Sequence, residues 1–508
     1  MKFKQSFFLS SVLLVTLSAS LFGQSEMIKP VSPNASPEAR ALLQLIYNLS
    51  GKYTLAGQHN FPAAEDKNSQ FAAGYTGKIP VIWSTDFGFS KEGDKDSYLK
   101  RWAMVEEAKR QNKMGSIITL CWHAVPPTAS EPVTFQPLPG ADPNALASVQ
   151  GHLTDQQFQD ILTPGTALNK KWMAQVDTIA FYLIQLQKAH IAVLWRPYHE
   201  MNGNWFWWGN RVGQYSTQAL YRQIFERLVN YHKLNNLVWV WSVDRPTRAG
   251  MEFQNFYPGN KYLDILALDV YGSDFKQDYY DGLLALSQGK PVTLGEVGTP
   301  PAPEIMDKQP KWSYWIIWAG MVRTTPKKQF EALANDTRLL GLDDPAYINA
   351  ANPFRSALGL PLLLLNKPAD FSGEWVLNED KSSLGNQGSG NLPAKLKISQ
   401  KENELDIKRS FTEEWQDDRI TEEKMMLNGE ESKSEFYGAP RITTASLSPN
   451  RDTLNVKSKV TFNRGGQTSE MTTTEVWGLQ KHGKVLAIIQ SSVSQQGERK
   501  ITMIYDKQ

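Results

Sequence analysis

A chain of 508 residues is longer than one hydrophobic core usually serves, so two folded units are expected, and a hydrophobic share of 41% places it among ordinary globular proteins. Its formal net charge of +2 gives no electrostatic case for nucleic acid or an acidic partner. The single cysteine, Cys121, excludes a disulfide within the chain; it ends an apolar run and reads as buried and inert.

The N-terminus reads as an address. Lys2 and Lys4 precede an apolar run over residues 7–17, followed by the small residues Ser18, Ala19 and Ser20. This is the pattern of a signal peptide, residues 1–23, implying a secreted or periplasmic protein. The run is short for a membrane span, and no cysteine near the cleavage region suggests a lipid anchor. From residue 30 to 363, short apolar runs alternate with helical periodicity. The runs are KYTLAG (52–57), IPVIWS (79–84), SIITLC (116–121), IAVLW (191–195), LVWVW (237–241), ILALD (265–269), PVTLG (291–295) and YWIIW (314–318). Each reads as a strand buried on both faces of a parallel sheet. Between them, residues 172–186 and 214–235 show apolar residues at helical spacing. Eight such units predict a (β/α)8 barrel. An open doubly wound sheet is the alternative, but no Gly-rich phosphate loop follows any strand. Beyond a proline-bearing stretch at 358–370, polar and apolar residues alternate, with turns at 448–452, 463–466 and 481–484. This predicts a small antiparallel all-β barrel or sandwich over 369–508.

Two motifs carry chemistry. The fourth strand runs into WRPYHEMNGNWFWWG (195–209), which sets Glu200 among Trp205, Phe206, Trp207 and Trp208. Desolvation by such a shell raises a carboxyl pKa, as a general acid near neutral pH requires. The competing reading is a loop glutamate paired with Arg196. The seventh strand ends in PVTLGEVGTPP (291–301), which places Glu296 at the corresponding end. Catalytic groups of (β/α)8 proteins sit at the C-terminal ends of strands. Two glutamates in that register can face each other across the mouth, as a retaining glycosidase demands of its nucleophile and its acid/base. The 16 tryptophans fit this reading in part, because flat rings stack on sugar faces, although most must serve packing.

The pattern R-P-x-H-E-M-N-G-x-W-F-W-W-G after strand four, with L-G-E-x-G after strand seven, resembles the family-26 glycoside hydrolases. Those are retaining (β/α)8 enzymes, chiefly β-1,4-mannanases, and the resemblance covers most of residues 40–330. It implies Glu200 as acid/base and Glu296 as nucleophile. It also implies substrate-side roles for His123 in the LCWHA segment, Arg196, His199, Trp205 as a sugar platform, and Asp269. Tyr271 would hydrogen-bond Glu296, and Trp318 would floor the subsite at the cleavage point. His59 is the weaker candidate among the histidines. The implied partner is a mannan-type polysaccharide, or mixed-linkage β-glucan or β-1,3-xylan, for which other members are known. A monomer is expected. No catalytic metal or cofactor is expected, because no histidine pair has ligand spacing. A G-x-S-x-G elbow is absent. A non-catalytic carbohydrate-binding barrel would explain the aromatics and the export signal, but not two strand-end glutamates in register. At the C-terminal unit, FSGEWVLNEDKSSLG (371–385) resembles lipocalin-like β-barrel modules, with Trp375 as a core plug.

Overall fold

The computed structural model describes residues 28–508 apart from 77, 89–93, 143, 365–368, 386–387, 402, 414–416, 449–452, 465–466, 481–482 and 495–496. The expected signal peptide lies outside the described residues, as do parts of the linker and of the three turns expected in the C-terminal unit.

Eight parallel strands close into a barrel: β1 (Thr54–His59), β2 (Ile82–Asp86), β3 (Ile117–Trp122), β4 (Val193–Pro197), β5 (Leu237–Asp244), β6 (Ile265–Val270), β7 (Val292–Val297) and β8 (Trp312–Ile317). Each pairs with the next, and β1 pairs with both β2 and β8. Every strand is buried along its whole length, which explains its nearly unbroken apolar reading. The two-residue β9 (Leu339–Leu340) flanks the start of β1. Helices cover the outside. The apolar stretch expected at 172–186 lies in helix Ala167–Lys188, capped by the Thr166 side chain, and the one expected at 214–235 begins as helix Thr217–Phe225, capped by Ser216.

The strands run further toward the mouth than hydropathy suggests. The second extends to Asp86 and the fifth to Asp244, through Ser84, Thr85 and Ser242. The backbone ladder continues after the apolar run ends, and this polar last turn of the strands is where the candidate site sits.

The C-terminal unit is ten antiparallel strands, β10 (Gly373–Leu377), β11 (Lys395–Lys401), β12 (Glu404–Phe411), β13 (Arg419–Met426), β14 (Asn428–Phe436), β15 (Ala439–Leu447), β16 (Thr453–Arg464), β17 (Gln467–Gln480), β18 (Val485–Ser494) and β19 (Gly497–Lys507). They form one up-and-down sheet that curls into a barrel-like shape, because β10 pairs with both β11 and β19. Its core holds Trp375, Trp477, Leu405, Leu486 and Tyr505. The Trp375 ring is fully buried, and its Nε1 donates to the Phe371 carbonyl at 3.0 Å, so it packs the core rather than offering a sugar platform.

Candidate active site

Glu200 stands three residues past the end of β4. The chain reaches it through two non-glycine residues in the left-handed region, Tyr198 (φ 49°) and Glu200 itself (φ 50°). Such conformations cost about 1–3 kcal/mol each and persist where neighbours over-determine them. Here the Tyr198 hydroxyl accepts from Trp172 Nε1 at 2.9 Å, Trp208 Nε1 donates to the His199 carbonyl at 2.9 Å, and Gly203 N donates to the Glu200 carbonyl at 2.8 Å. Trp205 Nε1 then donates to Glu200 Oε2 at 2.5 Å. Its indole lies against Gly203, where a Cβ would sit 2.3 Å from Cζ2, so only glycine admits the ring.

Glu296 lies in β7, in register with Asp269 of β6. The Tyr271 hydroxyl donates to its Oε2 at 2.5 Å, and Arg196 Nη2 donates to its Oε1. The same guanidinium donates through Nη1 to Asp269 Oδ2 at 3.0 Å, while the Ser242 hydroxyl donates to Asp269 Oδ1 at 2.8 Å. Gly295 makes room for this arrangement, since a Cβ there would lie 2.6 Å from Asp269 Oδ1. Carboxylate oxygens of Glu200, Asp269 and Glu296 lie within 4.8 Å of one another. The reading of Glu200 as an arginine-paired loop glutamate is therefore not what the structure holds: Arg196 binds Glu296 and Asp269. Arg196 and Asp269 are also not rim groups. They are 3% and 0% exposed, with Arg196 bonded to Glu296 and Asp269 held by Arg196 and Ser242.

Electrostatics marks out Glu200. Burial, and then the nearby charges of Glu296, Asp269 and Asp244, push the Glu200 carboxyl well above the usual range, opposed only in part by the Trp205 hydrogen bond. Burial and the Glu296 charge likewise raise Tyr271, which keeps it a neutral donor. Although burial works against the Arg196 cation, Glu296 and Asp269 more than offset it.

A chain of buried imidazoles backs the pair. His199 Nε2 lies 3.7 Å from Glu296 Oε1 and 3.1 Å from His123 Nε2. His123 Nδ1 in turn lies 2.6 Å from Asp86 Oδ2, which also accepts from Cys121 Sγ at 2.8 Å. Asp86 Oδ1 accepts from the backbone of Gly88 and His123. Burial would raise Asp86, but its pairing with His123 and these hydrogen bonds outweigh it and hold the carboxyl below its ordinary range. Burial first, then His123 and Arg196, keep His199 well below an ordinary histidine. Burial pushes the Cys121 thiol up, consistent with an inert side chain. His59 stacks on Trp318 with ring centroids 3.9 Å apart, and burial lowers its pKa to about 3.

All nine site residues expected from sequence thus converge on one end of the barrel. Trp205, Tyr271 and Trp318 are half-buried at the opening, and the others lie beneath them. Asp86 escaped the sequence reading. Its signal was its place at the C-terminal end of a strand, the same criterion that picks out Glu200 and Glu296, but it was masked because hydropathy ended β2 two residues early. His59 belongs at the site more firmly than its isolated sequence context suggests. Chemically, the arrangement presents a carboxyl that favours its proton beside a second carboxylate held by an arginine and a tyrosine, under an aromatic rim.

Comparison with known proteins agrees with this geometry. The profile of Glycosyl hydrolase family 26 matches residues 31–340. A mannan endo-1,4-beta-mannosidase of Thermothelomyces thermophilus is 31% identical over 295 residues, 56% of this chain and 56% of that protein. One of Bacillus subtilis is 28% identical over 351 residues, covering 62% of this chain and 88% of the other. The solved structure of GH26A from Muricauda sp. is 38% identical with a TM-score of 0.57, covering 61% of this chain and 98% of its own. The chain thus spans only about half of the first relative and nearly all of the others. With the profile covering more than half its length, the chain belongs to glycosyl hydrolase family 26.

Proposed function

We propose that the protein is an endo-acting β-1,4-mannanase that cleaves mannan-type polysaccharides by double displacement with retention. Glu200 donates a proton to the departing glycosidic oxygen while Glu296 attacks the anomeric carbon and forms a glycosyl-enzyme ester. Glu200, now deprotonated, then takes a proton from water, which attacks the same carbon and releases Glu296. The observation that carries this reading is the contrast between neighbouring carboxyls: oxygens within 4.8 Å, one carboxyl raised by burial and crowding, the other gripped by Tyr271 and Arg196. That spacing favours direct attack, since the inverting route needs carboxyls about 6.5–9.5 Å apart to seat a water between them. Mannan is favoured as substrate because the relatives that align over 262 residues or more are named mannan endo-1,4-beta-mannosidases, against an endoglucanase that aligns over 156 residues. The basic, apolar, then small-residue pattern of residues 1–23 supports action after export.

The test is hydrolysis of purified mannan, galactomannan, mixed-linkage β-glucan and β-1,3-xylan with sizing of the products. The reading expects mannan to be cleaved fastest, with a ladder of internal fragments appearing early. Faster turnover of either other glycan would replace the substrate while keeping the mechanism; monosaccharide released from chain ends alone would overturn endo action.

A further inference from the structure

The loop that follows β4 does more than carry Glu200. Beyond Trp205 it folds back on itself and frames an open polar hollow of about 560 Å3 together with the start of helix Asp155–Leu162. Its wall is rigid. Gly209 packs so closely that a Cβ would lie 2.2 Å from the Gly203 carbonyl. Asn210 N donates to the Met201 carbonyl at 2.9 Å, and Thr217 Oγ1 donates to the Trp208 carbonyl at 2.7 Å. The side-chain amides of Gln159, Asn204, Asn210 and Gln214 line this hollow, and none of them bonds to another group of the protein among the described residues. Tyr215 and His152 add rings to the same lining. The arginine in the wall, Arg211, is already committed: Nη1 donates to Asp155 Oδ1 at 2.7 Å, Nη2 donates to the Leu153 carbonyl, and the guanidinium carbon lies 4.6 Å from the Phe158 ring. Arg211 is thus engaged, and no other arginine or lysine among the described residues lines the hollow. It offers several groups that donate and accept at once, as neutral sugar hydroxyls require.

Position assigns the direction. The acid protonates the oxygen of the departing sugar, so that part of the chain leaves on the side of Glu200, whereas Glu296 faces the anomeric carbon. Trp205, bonded to the Glu200 carboxyl, directly follows Asn204 of the hollow wall in the chain, a single residue step of about 3.8 Å. We propose that this hollow is the subsite for the leaving-group side of the glycan, binding neutral sugar units through the amides of Gln159, Asn204 and Gln214. This inference rests on the catalytic assignment of Glu200 given above.

The test compares wild type with the Gln159→Ala/Gln214→Ala double variant, whose lost amides have no partners among the described residues. Two substrates are used: an activated aryl β-glycoside of two sugars, which places no sugar on the leaving side, and a reducing-end-labelled hexasaccharide of the glycan that wild type cleaves best. Two lost hydrogen bonds of about 0.5–1.5 kcal/mol each correspond to a fall in kcat/KM of roughly tenfold on the hexasaccharide. The aryl glycoside should be unaffected, and cleavage of the hexasaccharide should move toward its labelled end as leaving-side binding weakens. A variant matching wild type on both substrates overturns the inference alone. So does an equal loss on both, or a shift of cleavage away from the labelled end, since either marks the hollow as a glycone site. A wild-type protein inactive on all four polysaccharides overturns the catalytic reading and this inference with it.

Discussion

The Tyr271 hydroxyl meets Oε2 of Glu296 at 2.5 Å, on the opposite oxygen from the one that Arg196 grips. Each oxygen of the carboxylate therefore has its own donor, which fixes the rotation of the group. A hydrogen bond to a charged group contributes about 1.5–3 kcal/mol, so Tyr271→Phe should lower kcat on mannan by roughly 10–100-fold. The half-buried ring keeps its packing, and the melting temperature should stay close to wild type. An unchanged kcat would mean that Arg196 alone aims the nucleophile.

The two glutamates can be told apart by chemical rescue. Glu200→Ala removes the proton donor but leaves the nucleophile, so an activated aryl glycoside should still form the glycosyl-enzyme, which then accumulates because nothing activates water. Azide needs no base, so it should restore turnover and give a β-azide of retained configuration. Glu296→Ala cannot form the intermediate. There azide enters from the vacated face and gives the inverted α-azide. Exchange of the two stereochemical outcomes would reverse the assigned roles, and rescue of neither folded variant would remove support for double displacement.

Glu200 must carry its proton in the first step, and that form is present below its pKa and lost as pH rises through it. Because burial and the charges of Glu296 and Asp269 raise that pKa, kcat/KM on mannan should hold to higher pH than an ordinary carboxyl allows, then fall on the alkaline side. With an aryl glycoside whose leaving group needs no proton, the same alkaline limb should vanish from kcat/KM. The Trp205 hydrogen bond favours the ionised form of Glu200, so Trp205→Phe should move the limb to still higher pH. A limb that moves to lower pH in this variant would refute the assignment of Glu200 as the titrating acid.

Much of this was legible in the sequence because barrel strands buried on both faces leave unbroken apolar runs, and the residue after each run falls at the mouth. Glu296 directly follows its run, Glu200 was singled out by the aromatic residues that follow its strand, and Tyr271 by the family resemblance. The contacts among residues far apart in the chain were not legible. Arg196 lies in the same motif as the aromatic cluster Trp205–Trp208, yet its partners are 73 and 100 positions away on β6 and β7. Asp86 was invisible for a different reason: polar Ser84 and Thr85 ended the hydropathy signal before the backbone ladder ended. The amide-lined hollow has no sequence pattern at all, since it depends on how the β4 loop folds against a separate helix.

Asp86 leads to the last prediction. Its ionised carboxylate at His123 Nδ1 fixes the proton on that nitrogen, leaving His123 Nε2 as an acceptor. His199 must then donate from its own Nε2, which leaves His199 Nδ1 without a proton, and that buried nitrogen indeed has no hydrogen-bond partner among the described residues. Asp86 thus acts as a positioning residue for two imidazoles behind Glu296 without reaching substrate. In Asp86→Asn the amide can accept from or donate to Nδ1, so the tautomers are no longer fixed. Nitrogen NMR of histidine-labelled protein should show His123 protonated at Nδ1 and His199 at Nε2 in wild type, with mixed tautomers in the variant. On mannan, kcat should fall about tenfold, the scale of one displaced hydrogen bond near the nucleophile. A role confined to stability would lower the melting temperature while leaving both the tautomers and kcat of the folded fraction as in wild type. Asp86→Glu should restore the wild-type tautomers, because it returns an anionic acceptor; if kcat fails to follow those tautomers back, the chain through His123 and His199 does not act on Glu296.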